Sequence, residues 1–292
     1  VWEIFLRWVG LRWLSRRTTQ RRYIRAALMF RSLAGRMGGV LIKVGQFLSA
    51  RVDVLPDYIT DVLSGLQDEV PAESYEDICR VIETEFGVPI GEKYQTFDRQ
   101  PLAAASLGQV HCAVLTDGRT VVVKVLRPGI EKIVDIDLAA LATATGWLKY
   151  WKAVSRRADV KALLAEFSAT LLKELDYHAE ANNALRFGEI FHDDDGIRIP
   201  EVFLEFSTRR VLTLEDVGYI KITDYEKITE AGVDRAEVAR RLLSTYLHQI
   251  FTISFFHADP HPGNLFVEPP GEDHEWRLVF VDFGMVGDVT SR

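Results

Sequence analysis

The sequence HADPHPGN at residues 257–264 is followed, eighteen residues after its asparagine, by Asp282-Phe283-Gly284. Each motif adjoins a short run of β-branched and aromatic residues, which predicts a strand. These residue types suit phosphoryl transfer. That reaction requires one carboxylate near the acceptor, and an amide oxygen and a second carboxylate that hold Mg²⁺ against the phosphates. Asp259 is therefore the candidate catalytic base or acceptor-positioning group, and Asn264 and Asp282 are the candidate metal ligands.

Each motif taken alone permits a simpler interpretation. A D-F-G tripeptide occurs in many unrelated proteins. The segment HADPHPGN is compatible with a proline-rich turn, or with a metal site built from His257, Asp259 and His261. In their order and spacing, however, the two motifs resemble the catalytic loop H-x-D-x4-N and the metal-binding D-F-G of protein kinases. The pair together favours a kinase-like protein.

A lysine lies inside an apolar strand upstream. Residues 109–115 and 120–126 predict a β-hairpin around the turn Asp117-Gly118, and Lys124 is in its second strand. A lysine there is costly to bury unless it is paired. The kinase pattern places a lysine here, directed at the α- and β-phosphates and at a glutamate on a helix. An edge-strand lysine with its ammonium in solvent is the alternative, and the downstream motifs favour the kinase interpretation.

Alanines occupy the place where a kinase carries its glycine-rich phosphate loop. Residues 101–111 read PLAAASLGQVH. Alanine does not easily adopt a positive φ, so this loop should be stiffer and should fit a nucleotide differently. A small-residue turn between strands is the simpler interpretation of the alanines alone. The candidate nucleotide-binding residues are Ala103, Ala104, Ala105, Ser106 and Lys124.

Two further motifs carry polar residues at helical spacings. In KELDYHAEANN, residues 173–183, Asp176 and Glu180 are four residues apart and are predicted to share one face of a helix over 159–191. They repel each other unless a lysine or a metal lies over them, and a solvated acidic face is the alternative. Lys43 and Gln46 share a face of an apolar helix, where they need polar partners unless the lysine reaches solvent along its stem.

These motifs together resemble the UbiB, or aarF-domain, family of atypical kinases over essentially the whole chain. The resemblance implies an α+β, two-lobed protein-kinase-like fold with a family-specific N-terminal helical extension. It implies an extension at residues 1–95, an N-terminal lobe at 96–218 and the start of a C-terminal lobe at 219–292. We expect that C-terminal lobe to be incomplete, because no activation segment or A-P-E motif follows Gly284.

The resemblance also implies roles by position, with ATP and Mg²⁺ as cofactors. Lys124 would pair with Glu180 in the catalytic set, alongside Asp259. The helical extension would lie over the active site, with Lys43 facing Glu174 and Asp176 of the E-x-D motif. The family-specific regulatory residues would be Lys43, Gln46, Glu174 and Asp176. Such an extension would obstruct a protein substrate, so ATPase activity fits this family better than protein phosphorylation.

Charge is unevenly distributed along the chain. Residues 1–51 hold eleven Arg or Lys residues and one acidic residue, a net charge of +10, whereas the whole chain carries −7, so residues 52–292 carry −17. A basic N-terminal segment followed by an acidic remainder predicts a polyanionic partner. Anionic lipid is favoured over nucleic acid, because the acidic residues 52–292 would repel nucleic acid. The first fourteen residues, VWEIFLRWVGLRWL, predict either an interfacial helix or a packed helix, and no segment is apolar enough to span a membrane.

The family resemblance places such a protein at a membrane, either at the cytoplasmic face of a bacterial inner membrane or in a mitochondrion or plastid. Its members support the biosynthesis or homeostasis of prenylquinones such as ubiquinone, plastoquinone or tocopherol. Expected partners are therefore membrane lipids, a prenylquinone precursor and quinone-biosynthesis proteins. The two cysteines, Cys79 and Cys112, are far apart and predict neither a zinc cluster nor a disulfide framework.

Two other functions remain open from the sequence. A catalytically weak pseudokinase would bind nucleotide and lipid and organise a biosynthetic complex, with the alanine loop and the Lys43 helix blocking transfer. An ordinary protein kinase is disfavoured by the absence of a visible activation segment and substrate platform. The complete set of kinase-like polar residues favours an active ATP-dependent enzyme.

Overall fold

The computed structural model describes residues 12–66, 70–148 and 159–289, apart from the side chains of residues 12–19, 147 and 148. The chain divides into two compact units. The first contains Val1–Ala72, Ala104–Leu107 and Gly129–Leu171, and the second contains Glu73–Ala103, Gly108–Pro128 and Leu172–Arg292. The division into an extension and two lobes at residues 95 and 218 stays a prediction.

The described residues form ten α-helices and eleven strands. The helices are α1 (Arg12–Met37), α2 (Gly39–Ser49), α3 (Asp57–Ser64), α4 (Tyr75–Phe86), α5 (Ile90–Lys93), α6 (Ile130–Leu148), α7 (Val160–Glu174), α8 (Tyr177–Ile190), α9 (Tyr225–Glu230) and α10 (Arg235–His248). The strands are β1 (Tyr94–Phe97), β2 (Ala103–Ala104), β3 (Gly108–Leu115), β4 (Thr120–Leu126), β5 (Ile197–Arg198), β6 (Val211–Glu215), β7 (Ile220–Lys221), β8 (Phe255–His257), β9 (Leu265–Glu268), β10 (Arg277–Phe280) and β11 (Val286–Asp288).

The first unit is a helical assembly around an apolar core. Its buried centre between α1 and α3 comprises Ala27, Ala34, Leu63 and Leu66. The sequence of residues 1–51 predicts helix, but the structure interrupts it at Gly38, whose φ of 68° lies in the left-handed region that glycine adopts without strain. Helix α2 begins at the next residue and packs on both α1 and α3.

Gly45 lets α2 approach its neighbours closely. A Cβ atom at this position would lie 2.1 Å from Cδ1 of Leu66 and 3.2 Å from the ring of Phe30. These distances are shorter than van der Waals contact, so a side chain here would force the Leu66 side chain to move within the packed core. The glycine of the K-x-G-Q motif therefore belongs to the core of this unit.

The second unit is built on a sheet in which β1, β3, β4 and β6 lie side by side, with β2 added against β3. The predicted hairpin is confirmed: β3 and β4 are antiparallel, with Val110 opposite Lys124. Alternate residues of β4 (Val121, Val123 and Val125) face a core made with α4. Because side chains alternate along a strand, Lys124 projects from the opposite face of the sheet.

Helix α4 has the boundaries that its sequence predicts. The hydroxyl of Ser74 accepts a hydrogen bond from the N–H of Asp77, which caps the first turn. Gly87 ends the helix with a φ of 69°. Its buried face, Ile78, Val81 and Ile82, covers one side of the sheet.

A second sheet has the order β5, β10, β9 and β7. The strands predicted after HADPHPGN and before D-F-G are confirmed as β9 and β10, and they pair as an antiparallel hairpin with Leu265 opposite Phe280. A separate pair, β8 and β11, brings His257 opposite Val286. These two pairings fix the chain on both sides of the HADPHPGN and D-F-G motifs.

Three predicted elements differ from the structure. The single helix over residues 159–191 is wrong, because α7 ends at Glu174 and α8 begins at Tyr177. The run RIPEVFLEF, residues 198–206, predicts one strand, but the structure has β5, an isolated bridge at Val202 and a 3₁₀-helix, Leu204–Phe206. Pro200 lacks the N–H that a continuous ladder needs. Residues 234–256 predict one helix, but in the structure α10 ends at His248 and is followed by a π-helix, Gln249–Ile253, and by β8.

Within the part of the chain that the structure describes, no helix has the length and apolarity needed to cross a membrane. The predicted interfacial or packed helix of residues 1–14 lies almost wholly outside the described residues. The description of α1 begins at Arg12, and its side chains are described from residue 20 onwards.

Gly45 gives a stability prediction with an internal control. We expect Gly45→Ala to lower the free energy of unfolding by about 1 kcal/mol, because overpacking costs about 1–3 kcal/mol and outweighs the helix propensity of alanine, about 1 kcal/mol. The matched change Gly35→Ala in α1, where nothing lies within 4 Å of the new Cβ, should instead stabilise. Urea unfolding of both variants measures the difference, and stabilisation by both changes would contradict the packing role of Gly45.

Candidate functional site

Lys124 lies at the centre of the second unit's sheet and is paired with two carboxylates. Its ammonium is 2.5 Å from Oε1 of Glu180 on α8 and 3.3 Å from Oδ2 of Asp282. The side chains of Lys124 and Glu180 are 15% and 6% exposed, whereas that of Asp282 is 47% exposed. The cluster therefore has a buried ion pair at its base and a carboxylate that reaches solvent.

Burial and charge act in opposition on this cluster. Burial lowers the pKa of Lys124, but the carboxylates of Asp282 and Glu180 outweigh it, so the pKa of Lys124 lies above its usual range. Burial raises the pKa of Glu180, and the ammonium of Lys124 opposes that rise. Because breaking a buried pair leaves an uncompensated charge, losing either partner would cost about 3–5 kcal/mol.

The E-x-D motif lies where α7 ends and α8 begins. Glu174 is the last residue of α7. Asp176 is the N-cap of α8, and its Oδ1 accepts a hydrogen bond from the N–H of His178. Asp176 and Glu180 therefore do not share the face of one continuous helix as predicted, because a capping residue has a non-helical backbone.

The D-F-G segment adopts a strained backbone conformation. Asp282 has a φ of 64°, one of two non-glycine residues with a positive φ among the described residues. For an L-residue this conformation costs about 1–2 kcal/mol. The imidazole Nε2 of buried His257 lies 2.8 Å from the carbonyl oxygen of Asp282 and can only donate to it. Such strain persists where surrounding contacts hold it, and it is common at functional sites.

Asp259 and Asn264 of the HADPHPGN segment are in direct contact. The amide Nδ2 of Asn264 donates to Oδ2 of Asp259 over 2.7 Å. The backbone carbonyl of Asn264 also accepts from the N–H of Val281, the residue before Asp282. The hairpin of β9 and β10 thereby brings Asn264 beside the D-F-G segment.

The residues present fit a hard divalent cation. Asp282 supplies an exposed carboxylate, and the amide of Asn264, with its nitrogen committed to Asp259, turns its oxygen away from that residue. Mg²⁺ prefers such oxygen ligands and is bound with only one or two protein carboxylates. The alternative site of His257, Asp259 and His261 is not supported, because no group of three His, Cys, Asp or Glu side chains suited to a metal occurs among the described residues.

The other predicted residues lie outside this cluster of contacts. Lys43 and Gln46 are on α2 in the first unit. The predicted contact of Lys43 with Glu174 and Asp176 joins the two units and stays a prediction. Ala103 and Ala104 form β2, and the predicted phosphate contacts of Ala103, Ala104, Ala105 and Ser106 also stay predictions.

Sequence reasoning missed three residues that contact the site. Asn183 donates from Nδ2 to the carbonyl of Phe283 over 2.9 Å. Gln249 accepts from the N–H of His257 through Oε1 over 2.9 Å. The hydroxyl of Tyr177 packs against Gly108: it would lie only 2.7 Å from a Cβ atom at that position. The spacing of three residues between Glu180 and Asn183 was a signal for the first, since such residues share a helix face.

Comparison with known proteins gives a consistent relationship. Residues 65–292 match the family described as the ABC1 atypical kinase-like domain. The chain is 42% identical over 255 residues to the chloroplastic protein ACTIVITY OF BC1 COMPLEX KINASE 7 of Arabidopsis thaliana, covering 87% of this chain and 36% of that protein. It is 39% identical over 252 residues to the probable protein kinase UbiB of Marinobacter nauticus, covering 86% of this chain and 46% of that protein.

A solved structure is also similar. The complex of Rv3197 with erythromycin from Mycobacterium tuberculosis matches with a TM-score of 0.58 and 29% sequence identity, over 94% of this chain and 67% of that chain. The chain thus spans less than half the length of the two curated relatives described above. The predicted α+β protein-kinase-like fold is confirmed, and the chain belongs to the ABC1, or UbiB, family of atypical kinase-like proteins.

Proposed function

We propose that this chain is the nucleotide-binding core of an ATP-dependent phosphotransferase or ATPase that acts at a membrane on a prenylquinone-type lipid. The observation that carries the proposal is the cluster of Lys124, Glu180 and Asp282. A buried lysine held between a buried and an exposed carboxylate is arranged to bind phosphate oxygens and a metal together.

The face of the sheet beside Lys124 supports nucleotide binding. Val110 lies directly opposite Lys124 on β3, and Val122 precedes Lys124 by two residues on β4, so both share its face. Both are only partly buried. A partly open apolar surface next to a fixed cation suits a purine base with its phosphates directed at the lysine.

The chemistry follows from the side chains around this face. Bound Mg²⁺, held by Asp282 and Asn264, would neutralise charge on the phosphates. Lys124 would hold the α- and β-phosphates, and Glu180 would keep its ammonium in place. Asp259, held by Asn264, would orient the attacking hydroxyl or water and accept its proton. This division of roles requires no movement of the ion pair during the reaction.

A membrane location is supported by the surface of α1. This helix exposes a stripe of apolar side chains, Met29, Leu33 and Met37, at intervals of four residues. Exposed arginines lie on the same helix, including Arg22, Arg25 and Arg36. Apolar and cationic side chains on one helix suit an anionic lipid surface. The prenylquinone substrate rests on the family relationship, and plastid and bacterial relatives agree with an organelle or bacterial membrane.

Asp282→Asn tests the metal site. We expect the variant to lose at least about tenfold in Mg²⁺-dependent ATP affinity, the scale of loss found on disturbing a metal's ligand environment. Its thermal midpoint should stay close to that of the wild type, because Lys124 keeps Glu180 as its partner. Isothermal titration with and without Mg²⁺ measures the effect. The exposed Asp273→Asn is the charge-matched control, and equal Mg²⁺ dependence in Asp282→Asn and the wild type would contradict the assignment.

ATP turnover at a membrane tests the enzyme itself. The longest stable form of the protein is assayed with Mg²⁺, with neutral or anionic vesicles, and with a quinone-headgroup analogue. We expect anionic vesicles to stimulate hydrolysis in the wild type and not in Asp282→Asn. Tight nucleotide binding without turnover under every condition would instead support the pseudokinase that organises a biosynthetic complex.

The alanine-rich loop gives a separate prediction. Glycine adopts the positive φ that turns backbone N–H groups toward phosphates, whereas alanine resists it. We therefore expect Ala103→Gly, Ala104→Gly or Ala105→Gly to raise ATP affinity, by a factor on the order of 3–10 for a change worth about 1 kcal/mol. Ala231→Gly, at the C-cap of α9, is the control. Unaltered affinity in all three loop variants would exclude a phosphate role for this loop.

A further inference from the structure

Phe283 connects α8 to Asp282, the proposed metal ligand. Its side chain is fully buried. Its ring packs 5.1 Å from that of Phe187 on α8 and 5.6 Å from the imidazole of His257. These contacts fix the side chain but leave the polar groups of its backbone to be satisfied.

The backbone carbonyl of Phe283 binds a side chain of α8. Nδ2 of Asn183 donates to the carbonyl oxygen of Phe283 over 2.9 Å. The carboxylate of Glu180 lies beside the same segment, with its Oε2 3.8 Å from the position that a Cβ atom at Gly284 would take. Glu180 and Asn183 are three residues apart, so they project from the same face of the helix. One turn of α8 therefore contacts the D-F-G segment at two points.

The same arrangement constrains the residue before it. His257 donates to the carbonyl of Asp282, and Oδ1 of Asp282 accepts from the N–H of Gly284 over 3.3 Å. Asp282 keeps its positive φ of 64° only while the peptide groups that flank it stay in place. A shift of α8 would release the contacts of Phe283 and with them the orientation of the Asp282 carboxylate.

We propose that Asn183 is a positioning residue for Asp282: from the helix turn that also carries Glu180, it clamps the backbone carbonyl of Phe283 and so couples the position of α8 to the presentation of the metal-binding carboxylate. The part of this inference that concerns Mg²⁺ rests on the proposed nucleotide site. The clamp itself is a property of the protein without any ligand. Asn183 has a donor for the Phe283 carbonyl, which an acidic or an apolar side chain would lack.

The neighbouring residue provides a matched control. Asn182 is on the same helix and has the same side chain, but it is exposed. A change at Asn182 therefore carries the same cost in helix propensity without touching Phe283. Asn183→Leu removes the donor and keeps a similar volume, and Asn183→Asp keeps the shape while replacing the donor with an acceptor.

Hydrogen exchange of the full chain without nucleotide tests the clamp. We expect about tenfold faster exchange at Phe283 and Gly284 in both Asn183→Leu and Asn183→Asp, with the protection of α8 and of β3 and β4 retained. Asn182→Leu should exchange like the wild type. Unchanged exchange at residues 282–284 in the two Asn183 variants would overturn the proposal, and so would a loss of protection spread evenly over the second unit.

Nucleotide affinity supplies the second measurement. Asn183→Leu should reduce the Mg²⁺-dependent gain in ATP affinity about tenfold while leaving Mg²⁺-free ATP binding, which depends on Lys124, unchanged. An equal loss with and without Mg²⁺ would contradict a positioning role. If the wild type itself shows no Mg²⁺-dependent binding, the proposed function fails, whereas the exchange measurement still decides whether Asn183 clamps Phe283.

Discussion

The buried ion pair of Lys124 and Glu180 is the interaction on which the rest of the site depends. An ammonium inside a sheet of valines is tolerated only because a carboxylate lies 2.5 Å away. That requirement fixes the distance between β4 and α8, and hence the position of every other residue on that helix face. The pair has a high desolvation cost, so its contribution to net stability is small. Its value lies in geometry, since it holds one cation at the edge of the proposed nucleotide site.

The second constraint is the backbone of the D-F-G segment. Asp282 adopts a conformation that L-residues disfavour, and separate elements hold the two peptide groups that follow it. His257 from β8 binds the carbonyl of Asp282, and Asn183 from α8 binds the carbonyl of Phe283. Buried peptide groups must be hydrogen-bonded. These side chains meet that requirement and also fix the direction of the Asp282 carboxylate. Helix α8, the hairpin of β9 and β10 and the HADPHPGN segment are therefore connected by contacts around the candidate metal ligands.

The helical unit has a different physical basis. Its core is apolar, and its closest approach, at Gly45, depends on the absence of a side chain. The K-x-G-Q motif thus combines two requirements: a glycine for packing, and the polar residues Lys43 and Gln46 for which the family resemblance implies a regulatory role. An exposed stripe of methionine and leucine with arginines on the same helix α1 supports a role at a lipid surface. Binding a lipid surface and transferring a phosphoryl group would then be assigned to different units of the chain.

The sequence by itself determined the local elements whose signals are short-range. The Asp117-Gly118 turn, the alternation of β3 and β4, the Ser74 cap and the Gly87 stop all required only neighbouring residues, and the motif spacing was sufficient to indicate the kinase-like family. Only the tertiary structure decided what depends on distant partners. The helix predicted over 159–191 breaks because Asp176 caps a new helix and the N–H of Tyr177 bonds to the carbonyl of Arg209. The spacing from Glu180 places Asn183 on the same helix face, but the partners of Asn183 and Gln249 could not be predicted. These partners, Phe283 and His257, are 100 and 8 residues away and meet them only in the folded chain.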